Sequence, residues 1–281
     1  MTFDDFLIPE TLDEARQALE TLGDKGYAFA GGTAFQYVSD RPGATAVDIT
    51  RLGLRGIERV GGGFRIGATT TLTDLVRYRA EGWVLDRVAT RIPTHQVRNI
   101  STVGGNISRL FPWSDLPLAL LVLEGSVVIL SEEERSYDAL DFFTAQPLNR
   151  FGRGDLVTAV LVPAVAPPLG FGFKKENTTN AAFALMTGAA AITLDGDRMG
   201  KVRLAANGAL AVPQRLVEVE KALEGQAADP GLFAVAIEDG IAALDWHGRE
   251  GMSDEFARHL GTVILHDVLE QALEEAKGEA E

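Results

Sequence analysis

The chain has 281 residues, 46% of them apolar and 23% charged, with no low-complexity tract, so it is long enough to fold into two or three compact units. Forty acidic against 26 basic residues leave a formal net charge of −14, which opposes nonspecific binding to nucleic acid or to an anionic membrane surface. The chain has no cysteine, which excludes disulfides, thiol catalysis and cysteine-ligated iron–sulfur clusters within it.

The opening "MTFDDFLIPETLDEARQ" lacks the basic start and apolar core of a secretory signal, and no stretch approaches the length of a membrane span; a cytoplasmic protein is expected. Thr11 caps a helix whose apolar positions Leu12, Ala15, Ala18, Leu19 and Leu22 share one face, with Glu14 completing a capping box and Gly23 at the exit. "YAFA" (27–30) reads as a short buried strand. Gly31-Gly32-Thr33 follows, then a helical turn through Phe35 and Tyr37, and "TAVDIT" (45–50) is the next strand. This rhythm predicts a small parallel unit over 1–55.

The pattern then changes. "GIERV-GGG-FRIGATT" reads as a hairpin across Gly61–Gly63, followed by helices over 71–80 and 84–92, the second closed by Pro93. "STVGGNIS" (101–108) sets a second glycine pair beside Asn106. Ser114 or Asp115 caps "LPLALLVLE", where Pro117 is tolerable in the first turn, and "SVVIL" (126–130) and "DLVTAVLVP" (155–163) are strands. The segment 162–170, with three prolines, divides a region 56–165 from a C-terminal region 170–281. There, two strands surround an Asp-Gly turn, and helices are expected near 213–224, 230–244 and 253–276: an antiparallel sheet with a helical layer. The acidic end "LEEAKGEAE" reads as a solvated helix end.

Adjacent glycines permit positive φ and remove the side chains that hold a ligand off the backbone. Gly31-Gly32 beside Thr33 and Gly104-Gly105 beside Asn106 can together line a phosphate through successive N–H groups. Taken singly, each pair reads as a tight turn, as the Gly61–Gly63 triplet does, and no Rossmann fingerprint follows a strand. No serine sits in a nucleophile elbow, and His95, His247, His259 and His266 show no metal-ligand spacing.

With both glycine segments placed, the sequence resembles the FAD-binding subunit of the molybdenum hydroxylases, the group that includes xanthine dehydrogenase and carbon monoxide dehydrogenase. "AGGTAF" (30–35), "IGATTTLTDL" (66–75), "QVRNISTVGGNI" (96–107), "SDLPLALLVL" (114–123), "GFGFKK" (170–175) and "VRLAANGALAVPQRLVEVEKALEG" (202–225) carry the resemblance in order over nearly the whole chain. It implies an α+β protein: a PCMH-type FAD-binding fold of two α+β subdomains (1–55 and 56–165), followed by a C-terminal α+β domain (170–281) with an antiparallel sheet and helices.

The resemblance further implies that two glycine turns embrace the FAD pyrophosphate, Ala30, Gly31, Gly32, Thr33, Ala34 and Phe35 forming the first and Thr102, Gly104, Gly105 and Asn106 the second. Bulky substitution at Gly104 or Gly105 is then expected to remove flavin and leave most of the fold. Asp115 matches the family's flavin-site aspartate, an acceptor for ribityl or ribose hydroxyls, and is also suited to a helix N-terminus. Lys174 matches the lysine near the flavin ring, with Lys175 an equally local candidate. Phe171 or Phe173 lies where some members place a tyrosine against the isoalloxazine, and Leu156 or Val157 is an apolar contact.

Arg109-Leu110-Phe111-Pro112-Trp113 departs from the family pattern; its bulk alters access to the flavin or the inter-subunit surface, or Arg109 contacts a phosphate. The chain also lacks the cysteine-rich insertion of some benzoyl-coenzyme-A reductase relatives. The implied role is electron transfer through FAD to an external acceptor. The implied partners are a large molybdopterin-binding subunit and a small 2Fe-2S subunit, as a dimer of heterotrimers. The competing readings are a self-sufficient FAD-dependent reductase or oxidase on the same fold, as in the enolpyruvyl-sugar reductases, and a noncatalytic scaffold.

Overall fold

A computed structural model describes residues 1–144, 151–166, 168–179, 182–248 and 251–279; Pro167 of the proline-rich segment and the last two residues of the acidic end lie outside these. Twelve strands and ten helices are found among the described residues. They pack as two units whose segments interleave along the chain. The first comprises Met1–Tyr78, Thr94–Arg109 and Gly125–Val162, and the second Arg79–Pro93, Leu110–Glu124 and Pro163–Glu281.

In the first unit, β1 (Asp5–Leu7), β2 (Gly26–Phe29) and β3 (Thr45–Asp48) form a parallel sheet of order β1-β3-β2, crossed by α1 (Leu12–Leu22). Thr11 caps α1 by accepting the Glu14 N–H, but the Glu14 carboxylate reaches back to the Glu10 N–H at 2.8 Å, so the reciprocal capping box is not closed. Ala15 and Leu19 on the inner face of α1 pack with Val47, Ile49, Leu54 and Leu156. Each fully buried aliphatic side chain of leucine size there is worth about 1.5–3 kcal/mol.

A five-stranded sheet of order β4-β5-β8-β6-β7 fills the rest of this unit, from β4 (Ile57–Val60), β5 (Gly63–Gly67), β6 (Ser126–Leu130), β7 (Glu134–Asp138) and β8 (Leu156–Pro163). Val60 pairs with Gly63, so the turn proper is Gly61-Gly62, with Gly61 at φ 56°. Short helices surround the sheet: α2 (Leu72–Arg77), capped reciprocally by Thr71 and Asp74; α4 (His95–Ile100); α5 (Val103–Ser108); and α7 (Ala139–Thr144).

The second unit holds α3 (Leu85–Ala89), α6 (Leu116–Val122) and the antiparallel sheet β12-β11-β10-β9, formed by β9 (Leu169–Asn177), β10 (Ala184–Asp195), β11 (Arg198–Asn207) and β12 (Gln214–Arg215). Helices α8 (Val217–Leu223), α9 (Phe233–Gly240) and α10 (Asp254–Lys277) complete it. Its core gathers Met186, Ile192, Leu204, Phe233, Ile264 and Leu269.

The approach of α10 to β9 has a sequence cause. A Cβ on Gly170 would stand 2.0 Å from the Ala272 carbonyl oxygen, and one on Gly172 2.0 Å from that of Val268. Glycines two apart on the strand meet residues four apart on the helix, so the helix backbone rests directly on the sheet. The odd-numbered Phe171, Phe173 and Lys175 therefore point to the opposite face.

Candidate functional site

In the first unit, the two glycine segments lie side by side. A Cβ on Gly31 would stand 1.7 Å from the Ile100 carbonyl oxygen, and the Thr33 and Ser101 hydroxyls are 3.1 Å apart. Gly31 is thus demanded by the chain's own backbone. Of the four pair glycines only Gly32 has a positive φ, 71°.

Beyond β2 the chain makes one helical turn, closed by Phe35 N–H donating to the Gly32 carbonyl at 3.1 Å. The N–H groups of Gly31, Gly32, Thr33 and Ala34 have no protein acceptor among the described residues, and all four residues are half-buried. Unpaired backbone donors in sequence are the chemistry of an anion cradle.

The second glycine segment differs from the turn expected. Thr102 is the N-cap of α5, its hydroxyl accepting the Gly105 N–H at 3.2 Å, and Gly104, Gly105 and Asn106 form the first helical turn. The N–H groups here are already used: Val103 donates to Thr70 O at 2.9 Å, Gly104 to Ala68 O at 2.8 Å, and Asn106 to Thr102 O at 3.0 Å. Leu72 N–H donates to Ser101 O at 3.0 Å as well, which pins 101–104 antiparallel to 68–72. That pairing explains why "IGATTTLTDL" and "QVRNISTVGGNI" occur together.

The two glycines of α5 have distinct surroundings. A Cβ on Gly104 would meet Ala68 Cβ at 2.9 Å and Ala68 O at 3.0 Å, whereas one on the exposed Gly105 would meet only Thr102 Oγ1, at 3.1 Å. Gly104 is needed for packing; Gly105 keeps a surface open. Just beyond, burial weakens the hold of the Arg109 guanidinium on its proton; Tyr27 opposes this effect and Arg41 adds to it.

Leu156 is 2% exposed and belongs to the core around α1, and Val157 is buried beside it.

In the second unit, Asp115 is the N-cap of α6 by position, but its side chain makes no capping bond. It is 1% exposed, and its Oδ2 accepts from Lys175 Nζ at 2.7 Å, while Oδ1 has no partner among the described residues. Burial pushes its carboxyl up from the ordinary carboxylate range, and the Lys175 charge and hydrogen bond pull against that. The two adjacent lysines are therefore separated by strand alternation: Lys174, on the α10 face, pairs with Asp267, whereas Lys175 holds Asp115.

Phe171 and Phe173 are both buried and stack on one another, and the Arg87 guanidinium lies 5.2 Å from the Phe171 ring centroid. The divergent 109–113 segment builds a ladder: Phe111 stacks on Trp113 at 4.9 Å, and Trp113 on Phe183 at 4.2 Å. Sequence reading missed Asn207, whose buried amide donates to the Ser114 carbonyl at 3.1 Å. It also passed over His266, Asp267 and Glu270 on α10, whose ligand-capable atoms lie within 4.8 Å of one another although Asp267 is already paired with Lys174.

Two family models match the chain in succession. Residues 1–165 match the family described as the FAD binding domain in molybdopterin dehydrogenase, and residues 172–272 the CO dehydrogenase flavoprotein C-terminal domain. The chain is 32% identical over 232 residues to the glyceraldehyde dehydrogenase medium chain of Sulfolobus acidocaldarius, covering 77% of this chain and 79% of the relative. It is 29% identical over 286 residues to the carbon monoxide dehydrogenase medium chain of Afipia carboxidovorans, covering 97% and 98%. In fold, it is similar to a chain of the carbon monoxide dehydrogenase from Hydrogenophaga pseudoflava, with a TM-score of 0.90 at 24% identity over 96% of this chain and 97% of that one.

Proposed function

The chain belongs to the family of FAD-binding medium subunits of molybdopterin dehydrogenases, and from that premise we propose that it is the electron-transferring flavin subunit of a multi-subunit molybdenum hydroxylase. The observation that carries the proposal is the run of unpaired N–H groups from Gly31 to Ala34, packed beside Ile100 and Ser101 at the entrance to the second glycine segment. These donors suit the FAD pyrophosphate, with the half-buried Thr33 and the Thr102 and Asn106 side chains alongside and the Ala30 and Phe35 backbone framing the turn. On the resemblance, Asp115, Leu156 and Lys174 add contacts to the rest of the cofactor.

Bound FAD takes up electrons one at a time and releases them in pairs, the chemistry that joins one-electron carriers to a two-electron acceptor. This chain cannot hold cysteine-ligated clusters, having no cysteine, so the proposal assigns them to a small 2Fe-2S subunit and the substrate chemistry to a large molybdopterin-binding subunit. The assembly proposed is a dimer of heterotrimers in the cytoplasm. No helix among the described residues is long and apolar enough to cross a membrane.

Purification of the intact complex, with metal and flavin analysis, tests this. Co-purification of a molybdenum-bearing and an iron–sulfur-bearing chain with one FAD per copy is expected. A chain that is reduced by a small substrate and active without either partner would overturn the proposal.

A further inference from the structure

We infer that Asn207 is a positioning residue for Asp115, acting through the turn that precedes α6. The inference rests on the proposed role of Asp115 as an acceptor for the cofactor.

Thr187 on β10 stands opposite Lys175 on β9 and opposite Asn207 on β11. Directly paired residues share a face, so the three polar side chains form one row across the sheet, on the face turned away from α10. Thr187 and Asn207 are each 0% exposed, and the Lys175 side chain is 6% exposed. Polar groups in such a place are costly unless bonded, and an apolar trio would pack as well.

The bonds show what the row does. The Asn207 amide commits its donors to the Ser114 carbonyl at 3.1 Å and the Phe111 carbonyl at 3.4 Å, and the Ser114 N–H donates to the same Phe111 oxygen at 2.9 Å. The main chain of 111–114 is thereby fastened immediately before Asp115. From the other end of the row, Lys175 Nζ takes Asp115 Oδ2 at 2.7 Å. One anchor grips the backbone and the other the carboxylate, so Oδ1 is held in a fixed direction without a bond of its own.

The unpartnered atoms add to the case. Asp115 Oδ1, Asn207 Oδ1 and Thr187 Oγ1 are all buried without a hydrogen-bond partner among the described residues. Of these, the Asp115 carboxylate oxygen is the one the ligand meets, and as an acceptor it suits a hydroxyl or another neutral donor. The nearby Lys175 charge disfavours a cation. Asn207 sets the direction of the carboxylate without itself touching the ligand.

The test compares Asn207→Asp, Asn207→Ser and Asp115→Asn in the full chain, titrated with FAD and read by affinity and by the visible circular dichroism of the bound flavin. Asn207→Asp keeps the shape but loses both donors. It is expected to weaken FAD at least tenfold and to move the visible dichroism toward that of Asp115→Asn, with far-ultraviolet dichroism unchanged. Asn207→Ser retains one donor and is expected to fall between; if Asn207→Asp does not fold, the serine variant decides alone. Wild-type affinity and visible dichroism in the Asn207 variants, with Asp115→Asn impaired, would overturn the inference. An unimpaired Asp115→Asn would overturn it as well, while failure of the unmodified chain to bind FAD would instead strike the proposed function.

Discussion

Replacing Gly105 separates a cofactor role from a packing role, because the structure gives the pair glycines unequal surroundings. A Cβ on Gly31 would stand 1.7 Å from a backbone oxygen, so Gly31→Ala is expected to yield no folded protein and says nothing about ligand. Gly104→Ala is compromised in the same way by Ala68 at 2.9 Å. At Gly105 the only neighbour of an added Cβ among the described residues is Thr102 Oγ1 at 3.1 Å, a side-chain atom that can shift. Alanine there gains up to about 1 kcal/mol of helix propensity, and a loosened Thr102 cap costs about 1 kcal/mol, so stability should barely change. A side chain that pushes the pyrophosphate off the first turn forfeits at least one charge-assisted hydrogen bond, about 1.5–3 kcal/mol. At 1.4 kcal/mol per tenfold, that is roughly a tenfold to hundredfold loss of affinity. Fluorescence titration with FAD, alongside thermal unfolding, reads both quantities for Gly105→Ala and Gly105→Val. Undiminished FAD binding by a folded Gly105→Val would refute the close approach.

Lys175→Met should destabilise the second unit by about 3–5 kcal/mol near neutral pH, since it leaves a buried carboxylate without its counter-charge. The Asp115 carboxyl, already raised, rises further in that variant. As pH climbs through the ordinary carboxylate range, the unfolded chain releases the proton while the folded one keeps it, so the variant's denaturation midpoint should fall with rising pH more steeply than that of the unmodified protein. Gly172→Ala should abolish soluble expression, because its Cβ would stand 2.0 Å from Val268 O; Gly196→Ala, at φ 62° in an open turn, should cost only about 1–2 kcal/mol in chemical denaturation. Thr102→Val removes the cap of α5 and should lower stability by about 1 kcal/mol, seen as a shift in the denaturant midpoint.

Local chemistry made much of this fold legible. Thr11, Thr71 and Gly23 marked helix ends, alternation marked β4 and β5, and the Asp195-Gly196 step marked the turn between β10 and β11. The short edge strand β1, with every residue exposed, offered no alternation of burial to read, and β7 pairs through an almost wholly exposed run. Helices α4 and α5 span only six residues each, too short for a helical period, and the glycines in α5 suggested a turn instead. What fixes the start of α5 is the pairing of 101–104 with 68–72, a contact distant in sequence.

For the site, residue types were readable but their targets were not. Adjacent lysines carry no sign of which one a strand turns inward, and nothing local to Asn207 points to a carbonyl 93 residues away. Leu156 or Val157 is expected as an apolar contact of the cofactor, and the structure packs Leu156 against Ala15 and Leu19. The glycines of "GFGFKK" marked a resemblance, and the physical reason for them is the passage of α10 over β9.

Equilibrium binding of FAD and of riboflavin to the cofactor-free full chain shows whether a flavin is held by its pyrophosphate on the Gly31–Ala34 turn. One FAD per chain is expected, with riboflavin, which lacks the pyrophosphate, bound at least about tenfold more weakly, the equivalent of 1.4 kcal/mol. Equal affinity for the two, or no binding of FAD, would contradict it.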